Sequence, residues 1–193
     1  MSSVGQFSPN AFKRILTSLN SARFKDDTGT IEYFGQKAVI LRADVFHLIH
    51  KELYRVAGTA ANVILSLGGR RVGSEEGAVL LARARSVGLG EASASPDFIQ
   101  MALEETNMGF GKLSILALDK DAGGASVSIS DCFEADSRDP SPRPTCFFTL
   151  GYLEGVLSKL LGKSVRGIET SCVSKGDESC VFQLKPHESI KLQ

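Results

Sequence analysis

The feature that most constrains this chain is a set of three cysteines and one glutamate in its last quarter. Cys146, Glu169, Cys172 and Cys180 follow the pattern C-x22-E-x2-C-x7-C within residues 144–185. Three thiolates and one carboxylate match, in number and in type, the ligands of a closed tetrahedral Zn²⁺ site. The pattern therefore predicts a zinc-binding lobe over 144–185, with buried free thiols as the alternative that spacing alone leaves open.

The residues around these four positions indicate how they can meet. Cys146 opens an apolar helical pattern, and in the first turn of a helix the dipole lowers a thiol pKa and favours the metal-binding thiolate. The turn-forming residues 174–178 predict a hairpin tip that folds Cys172 back toward Cys180. Glu169 and Cys172 are three apart and face opposite sides of a regular strand, so a shared metal requires a bulge between them.

Composition excludes several classes of partner. Lys+Arg and Asp+Glu balance at 22 each, so no net charge draws the chain directly to nucleic acid. No apolar run reaches the roughly 18 residues of a membrane span. The N-terminus lacks the regions of a signal peptide, and four cysteines then favour metal or free thiols over disulfides. We expect a cytoplasmic protein with one domain over residues 1–193.

The N-terminal part of the chain predicts a helix and then a hairpin. Residues 1–24 are expected to be a helical extension. Its helix should begin at Ser8-Pro9 and carries an apolar stripe, which must pack on the body or on another subunit. Two strands are expected at 30–34 and 37–42, separated by Gly35-Gln36 in a hairpin turn.

Helices are expected in the next segment. Asp44 caps the first of them, and its apolar residues lie on one face. No carboxylate or thiol pattern completes a metal site around His47 and His50, which we interpret as surface or pocket-edge residues. Residues 68–73 contain three glycines and predict a turn between two further helices, the second of which ends before Gly88.

The second half of the chain predicts one more helix and a hairpin ahead of the cysteine-rich lobe. The helix begins at Ser95-Pro96 and runs through residue 105. Strands are expected at 112–118 and 125–133. Residues 134–144 contain three prolines and predict a loop that is long enough to be a lid or a binding loop. Cys132 precedes this loop and is expected to pack as a structural cysteine.

This order of elements predicts an α+β fold. Helices come first, with one hairpin in the middle of the chain and another at its end. The strands within 30–42, 112–133 and 165–184 are expected to form one antiparallel sheet, with the helices packed over one face.

Three segments of the lobe resemble the 4-vinyl reductase domain family. They are G-Y-L-E-G-V-L-S-K-L-L-G-K-S-V at 151–165, E-T-S-C at 169–172 and K-G-D-E-S-C-V-F-Q-L at 175–184. That family includes the sensor domains of aromatic-responsive transcription activators and is structurally related to subunits of the TRAPP vesicle-tethering complex. The resemblance implies a TRAPP-subunit-like fold, a zinc ligand set of Cys146, Glu169, Cys172 and Cys180, and a position for Cys132 outside that set.

Aromatic residues near the metal candidate predict a ligand site. Three of them closely follow Cys146 in one helical pattern, and a fourth lies between two glycines farther upstream. These residues are Phe147, Phe148, Tyr152 and Phe110. We expect a hydrophobic ligand, aromatic or tetrapyrrole-like, between the helices and the sheet.

The sequence is consistent with three functions. The first is a zinc-stabilised domain that senses or carries this ligand, and the second is an assembly module of TRAPP-subunit type. The third is an accessory protein or enzyme in (bacterio)chlorophyll vinyl-group reduction. We assign no catalytic residues, because no nicotinamide or flavin fingerprint is present and four protein ligands would fill the zinc. A homodimer is expected, since the helices of the first half carry more apolar surface than a single sheet covers, and the resemblance implies pairing through helices.

Overall fold

The computed structural model describes residues 23–33, 36–86, 88–89, 95–105, 109–136 and 139–187. The helix expected after Ser8-Pro9 lies outside them, but the last two residues of the helical extension predicted at 1–24 are in a strand, so the extension was assigned two residues too far. In chain order the elements are β1 (Arg23–Lys25), β2 (Thr30–Tyr33), β3 (Gln36–Ala38), α1 (Ala43–Ala57), α2 (Ala60–Ser86), α3 (Pro96–Glu105), β4 (Lys112–Asp119), β5 (Gly124–Ser130), α4 (Phe147–Leu161), β6 (Val165–Ser171), a short 3-10 helix (Val173–Lys175) and β7 (Cys180–Pro186). None of the helices described is long and apolar enough to span a bilayer.

The main sheet has four antiparallel strands in the order β4-β5-β7-β6. Val127 of β5 pairs with Phe182 of β7, and both side chains are fully buried. Alternation along these strands turns one face toward the core, where α4 packs against it. The α+β fold with an antiparallel sheet and packed helices is thus confirmed.

The first three strands are separate from that sheet, so the prediction of one sheet was wrong. The hairpin of Thr30–Tyr33 and Gln36–Ala38 forms as expected, but its second strand ends at Ala38 rather than at residue 42. β2 pairs with β1 on its other edge, so both of its edges are occupied by close sequence neighbours. Pairing over such short loops costs less entropy than pairing with strands about 80 residues later.

The predicted turn at 68–73 was also wrong, because α2 is continuous through it. Five glycines make this possible, and we call them the glycine seam: Gly69, Gly73 and Gly77 on α2, and Gly151 and Gly155 on α4. A Cβ at Gly69 would overlap the carbonyl of Phe148, and one at Gly151 would overlap that of Ser66. The backbones of the two helices therefore touch, and this packing offsets the roughly 1 kcal/mol that each helical glycine costs relative to Ala.

The ends of the helices match the predictions in part. Ser95 accepts the N–H of Phe98 at 3.1 Å and caps α3, as expected. Gly88 has φ of 79° and follows the end of α2, which confirms the expected break. The predicted cap of α1 was wrong, because Arg42 occupies the N-cap position and Asp44 lies in the first turn. Asp44 pairs there with the Arg42 guanidinium at 2.8 and 3.0 Å.

Candidate metal centre and aromatic cluster

The metal centre predicted from the sequence begins where α4 begins. Cys146 is the N-cap residue of α4, and its backbone N–H donates to Glu169 Oε2 at 3.0 Å. Glu169 lies on β6, whose register with β7 shifts between Glu169 and Ser171. This irregularity is the bulge that the three-residue spacing requires, and it allows Glu169 and Cys172 to approach the same point.

The segment between the last two cysteines forms the expected turn. The short 3-10 helix follows Cys172 directly, and Gly176 ends it with φ of 95°. The Asp177 carboxylate accepts the backbone N–H of Cys172 at 2.7 Å and holds the turn closed. Cys180 then begins β7 beside the other two thiols.

These four side chains come together as the sequence predicts. The ligand atoms of Cys146, Glu169, Cys172 and Cys180 all lie within 4.8 Å of one another. The Cys146 sulfur is 3.6 Å from that of Cys180 and 3.9 Å from that of Cys172. Sulfurs at two corners of a tetrahedral Zn²⁺ site are about 3.8 Å apart when each Zn–S bond is about 2.3 Å. The thiol spacing therefore fits such an ion.

Glu169 supplies a second test of that fit. Its Oε2 accepts the Cys146 N–H, but its Oε1 is buried without a hydrogen-bond partner. Burial, followed by the neighbouring Cys172 thiol, raises the pKa of Glu169 to about 8. A buried carboxylate oxygen without a partner is costly, whereas a divalent cation between it and the thiols would satisfy it. The cluster can hold a metal ion.

The fourth cysteine lies beside this cluster, which its sequence spacing did not reveal. Cys132 is 3% exposed, and its sulfur lies 3.8 Å from that of Cys146 and 3.9 Å from the Thr149 hydroxyl. It is outside the set of four whose ligand atoms all lie within 4.8 Å. It is buried, as expected, but it contacts a candidate metal ligand.

An aromatic cluster lies next to the metal centre along α4. Three of the four predicted ligand-site residues belong to it, and two further rings join them. Its members are Phe46, Phe110, Phe133, Phe148 and Tyr152. The ring centroids of Phe110 and Tyr152 are 4.8 Å apart, as are those of Phe110 and Phe133. Phe147 is half-buried at the start of α4 and is absent from the ring contacts found in the described part of the chain.

Sequence reasoning missed Phe46 and Phe133. Phe46 lies on α1 and reaches Phe133 at a centroid distance of 4.7 Å, 87 positions away in the chain. The position of Phe133, next to Cys132 at the end of the strand predicted at 125–133, was the one available signal for it, although β5 ends at Ser130. No spacing in the sequence connects α1 with this cluster.

A buried carboxylate anchors the start of α4 and was also missed. The Glu134 carboxylate accepts the N–H of Phe148 at 2.8 Å and that of Thr149 at 2.7 Å. Burial raises the pKa of Glu134 to about 8. Glu134 therefore caps α4 from the first position of the loop predicted at 134–144.

The two histidines of α1 face this carboxylate across a cleft. His50 is 8% exposed, and its Nε2 lies 3.6 Å from Glu134 Oε1 without a hydrogen bond. Burial lowers the pKa of His50 to about 4. His47 Nε2 is 2.9 Å from the Phe133 carbonyl oxygen. Both histidines line a cleft of about 160 Å³ between α1 and the loop, so pocket-edge is the correct description and surface is not.

A second buried carboxylate joins three elements at the glycine seam. Glu154 of α4 is 3% exposed and forms an ion pair with Arg70 of α2, whose Nε donates at 2.9 Å. Its other oxygen accepts the Gly167 N–H of β6 at 2.8 Å. Glu154 thus ties α2 and the main sheet to α4, a structural role that the sequence pattern did not reveal.

A known family covers the part of the chain that holds this site. The family model described as the V4R domain matches residues 125–186, which run from β5 to β7 and include the four clustered ligands. The resemblance to the 4-vinyl reductase domain family is thereby confirmed. An uncharacterized protein of Methanocaldococcus jannaschii is 31% identical over 80 residues, which are 41% of this chain. The match spans 46% of that relative's length.

Solved structures share the fold at low identity. The phenol-responsive sensory domain of the transcription activator PoxR, solved with phenol, superposes with a TM-score of 0.70 at 22% identity, over 93% of this chain and 92% of that one. Subunit 3 of a trafficking protein particle complex from Naegleria fowleri, covalently bound to palmitic acid, superposes with a TM-score of 0.57 at 15% identity, over 77% of this chain and 95% of that one. A vinyl-4-reductase family protein from Methanocaldococcus jannaschii superposes with a TM-score of 0.50 at 16% identity, over 95% of this chain and 99% of that one. The TRAPP-subunit-like fold is confirmed.

Proposed function

We propose that this chain is a zinc-stabilised domain that binds a small hydrophobic molecule and senses or carries it. The observation that carries this proposal is the sharing of one helix by two sites. α4 begins at the thiol cluster with Cys146 and contributes Phe148 and Tyr152 to the aromatic cluster. A ligand that contacts these rings acts on the helix that the metal centre anchors.

Zinc is the metal that the donor set favours. Three thiolates with one carboxylate suit a borderline-soft ion and fill its four tetrahedral positions. When bound, zinc would supply a structural cross-link between α4, β6 and β7. Cys146, Glu169, Cys172 and Cys180 would hold it. Because these ligands leave no open position for a reacting water, the centre supports binding and folding rather than catalysis.

The proposed ligand is a single-ring aromatic compound or a molecule of similar width. The cleft of about 160 Å³ lies beside the aromatic cluster and is lined mostly by polar side chains, none of them from the five rings. It meets the cluster through His50, whose ring centroid is 4.5 Å from that of Phe46. It is small beside the 300 to 1,000 Å³ of typical drug-sized sites. A tetrapyrrole is therefore the less favoured ligand. Two proteins of the same fold, the PoxR sensory domain with phenol and the trafficking subunit with palmitic acid, carry small or slender molecules.

A thermal-shift screen of metal-loaded protein tests this function. Phenols, fatty acids and tetrapyrroles would be compared on the native chain, on Phe148→Leu and on the control Phe24→Leu, whose ring is 68% exposed. We expect single-ring aromatics to stabilise the native chain and the control, by about 2.7 kcal/mol at a concentration of 100 Kd. Phe148→Leu should reduce this effect. Stabilisation by none of the three classes would contradict the proposal.

The second candidate is an assembly module, and the outer face of the first two helices favours it. Apolar residues on this face are 49–74% exposed. They are Leu48, Ile49, Val56, Val63, Ile64 and Leu67. We propose that this face pairs two copies of the chain with two-fold symmetry, an arrangement compatible with ligand binding.

Light scattering at micromolar concentration tests the pairing. We expect a dimer for the native chain and for the control Leu116→Glu, which alters an exposed residue of the main sheet. Leu67→Glu should give a monomer, because a charge would be buried in the apolar contact. A monomeric native chain would count against the dimer.

A further inference from the structure

Cys132 lies outside the set of four clustered ligand atoms, but it is as close to Cys146 as two of the proposed ligands are. Its sulfur is 3.8 Å from that of Cys146, whereas the sulfurs of Cys180 and Cys172 are 3.6 and 3.9 Å from the same atom. All four thiols are 3% exposed or less. Cys146 is thus surrounded by three sulfurs, each about one tetrahedral edge away.

Glu169 is the ligand most open to replacement. Glu169 is the one oxygen donor in the set of four ligands, and the other three donors are sulfurs. It is half-buried, whereas the cysteines are buried. Its second oxygen already has a partner in the Cys146 N–H. Thiolates bind zinc and softer ions well, and both three-thiolate and four-thiolate sites are stable arrangements.

We propose that Cys132 is a reserve fourth thiolate, which takes the place of the Glu169 oxygen in the metal centre. In this exchange Cys132 would lose its thiol proton, and its sulfur would take the ligand position that Glu169 Oε1 would leave. The freed carboxylate accepts the proton, and no electron is transferred. The inference rests on the proposed metal centre.

The exchange would connect the metal centre with the ligand site. Phe133 and Glu134 follow Cys132 directly in the chain. Phe133 stacks on Phe110 in the aromatic cluster, and Glu134 caps α4. Movement of Cys132 toward the metal would therefore pull on a ring of the proposed ligand site and on the carboxylate that anchors α4.

Cobalt substitution tests the proposal, because the thiolate-to-Co²⁺ charge-transfer absorbance grows with the number of bound thiolates. Four proteins are compared: the native chain, Cys132→Ser, Glu169→Ala and the double variant. Glu169→Ala should bind one Co²⁺ with absorbance about one third above the native value, since four thiolates replace three. The double variant should return to the native absorbance and bind Zn²⁺ at least about tenfold more weakly than Glu169→Ala, in chelator competition.

The remaining arms separate the alternatives. Glu169→Gln, which keeps an acceptor for the Cys146 N–H, replaces Glu169→Ala if the alanine variant does not fold. If Glu169→Ala and the double variant have equal absorbance and equal Zn²⁺ affinity, Cys132 does not replace the carboxylate and the proposal is overturned. Another outcome is that all four proteins show the same number of bound thiolates, while Cys132→Ser alone binds Zn²⁺ more weakly. Cys132 would then be a hydrogen-bond donor to Cys146 and not a ligand. A native chain that binds no metal would remove the proposed centre itself, and the reserve ligand with it.

Discussion

Two regions of α4 are organised in opposite ways. At its N-terminal end the metal cluster collects side chains from separate segments and leaves their ligand atoms within 4.8 Å of one another, with Glu169 Oε1 unpaired. Along the same helix the glycine seam brings α2 and α4 into backbone contact, where even one added Cβ would overlap a carbonyl. The cluster can take an ion from outside the chain, whereas the seam is made by the chain's own backbone.

The difference determines how each region responds to change. The cluster gathers polar atoms that are costly to bury without a partner, so its stability depends on what occupies it. The seam is stable because its glycines place no side-chain atoms between the two helix backbones. Its stability is therefore insensitive to solution conditions and sensitive to any larger residue. Three predictions test this contrast, in order of decreasing effect.

Loss of the metal should have the largest effect. Cys172→Ser combined with Cys180→Ser should abolish zinc binding and lower the free energy of unfolding by several kcal/mol, since binding of a structural zinc is coupled to folding. Elemental analysis of the native protein should give close to one zinc per chain. Chemical unfolding with and without a chelator measures the stability change. Full zinc occupancy and unchanged unfolding in the double variant would exclude both cysteines from the site.

The glycine seam should respond to a single methyl group. Gly73→Ala places a Cβ against the carbonyl of Tyr152 and should destabilise the fold by about 3 kcal/mol, because helix backbones must separate. Gly68→Ala is the matched control, since its Cβ meets nothing within 4 Å in the same helix. The control should be neutral or stabilising by up to about 1 kcal/mol. Similar unfolding curves for the two variants would mean that the helices do not touch at Gly73.

The third prediction concerns Glu134, which lies between the two regions. Its pKa is raised by burial from 4.5 to about 8, so the folded state keeps a proton that the unfolded chain has lost. Its contribution to stability is therefore full below pH 4.5 and is lost as the pH rises through about 8. His50 acts in the opposite sense, because its lowered pKa removes stability as the pH falls below 6.5.

Between pH 6.5 and 8 the contribution of Glu134 is measured as a difference between two proteins. Glu169 also has a pKa of about 8, and the thiolates that release the metal on unfolding take up protons. In metal-saturated protein, the stability of the native chain relative to Glu134→Gln should fall by roughly 1 to 2 kcal/mol across this window. Urea unfolding at the two pH values provides the measurement. An equal slope in both proteins would assign the pH dependence to another group.

The sequence was informative at several places where one short segment decides the structure. The turn residues 174–178 and the Ser95-Pro96 cap formed as predicted. The two strands of the middle hairpin also formed, but the second ends at Ser130 rather than at residue 133. The need for a bulge between Glu169 and Cys172 followed from strand geometry alone, and the register shift is present. The resemblance then assigned Cys146 and the other three residues to one zinc site, an assignment that the spacing alone did not decide.

Only the tertiary structure decided the features that depend on contacts between distant segments. Residues 68–73 carry a turn composition, yet they are helical because their glycines fit against the backbone of α4 about 80 residues later. The place of Cys132 beside Cys146, and of His50 beside Glu134, is likewise set by how β5, α1 and α4 pack. Local propensity is worth about 1 kcal/mol per residue or less, whereas the packing of two helices sums many contacts and overrides it.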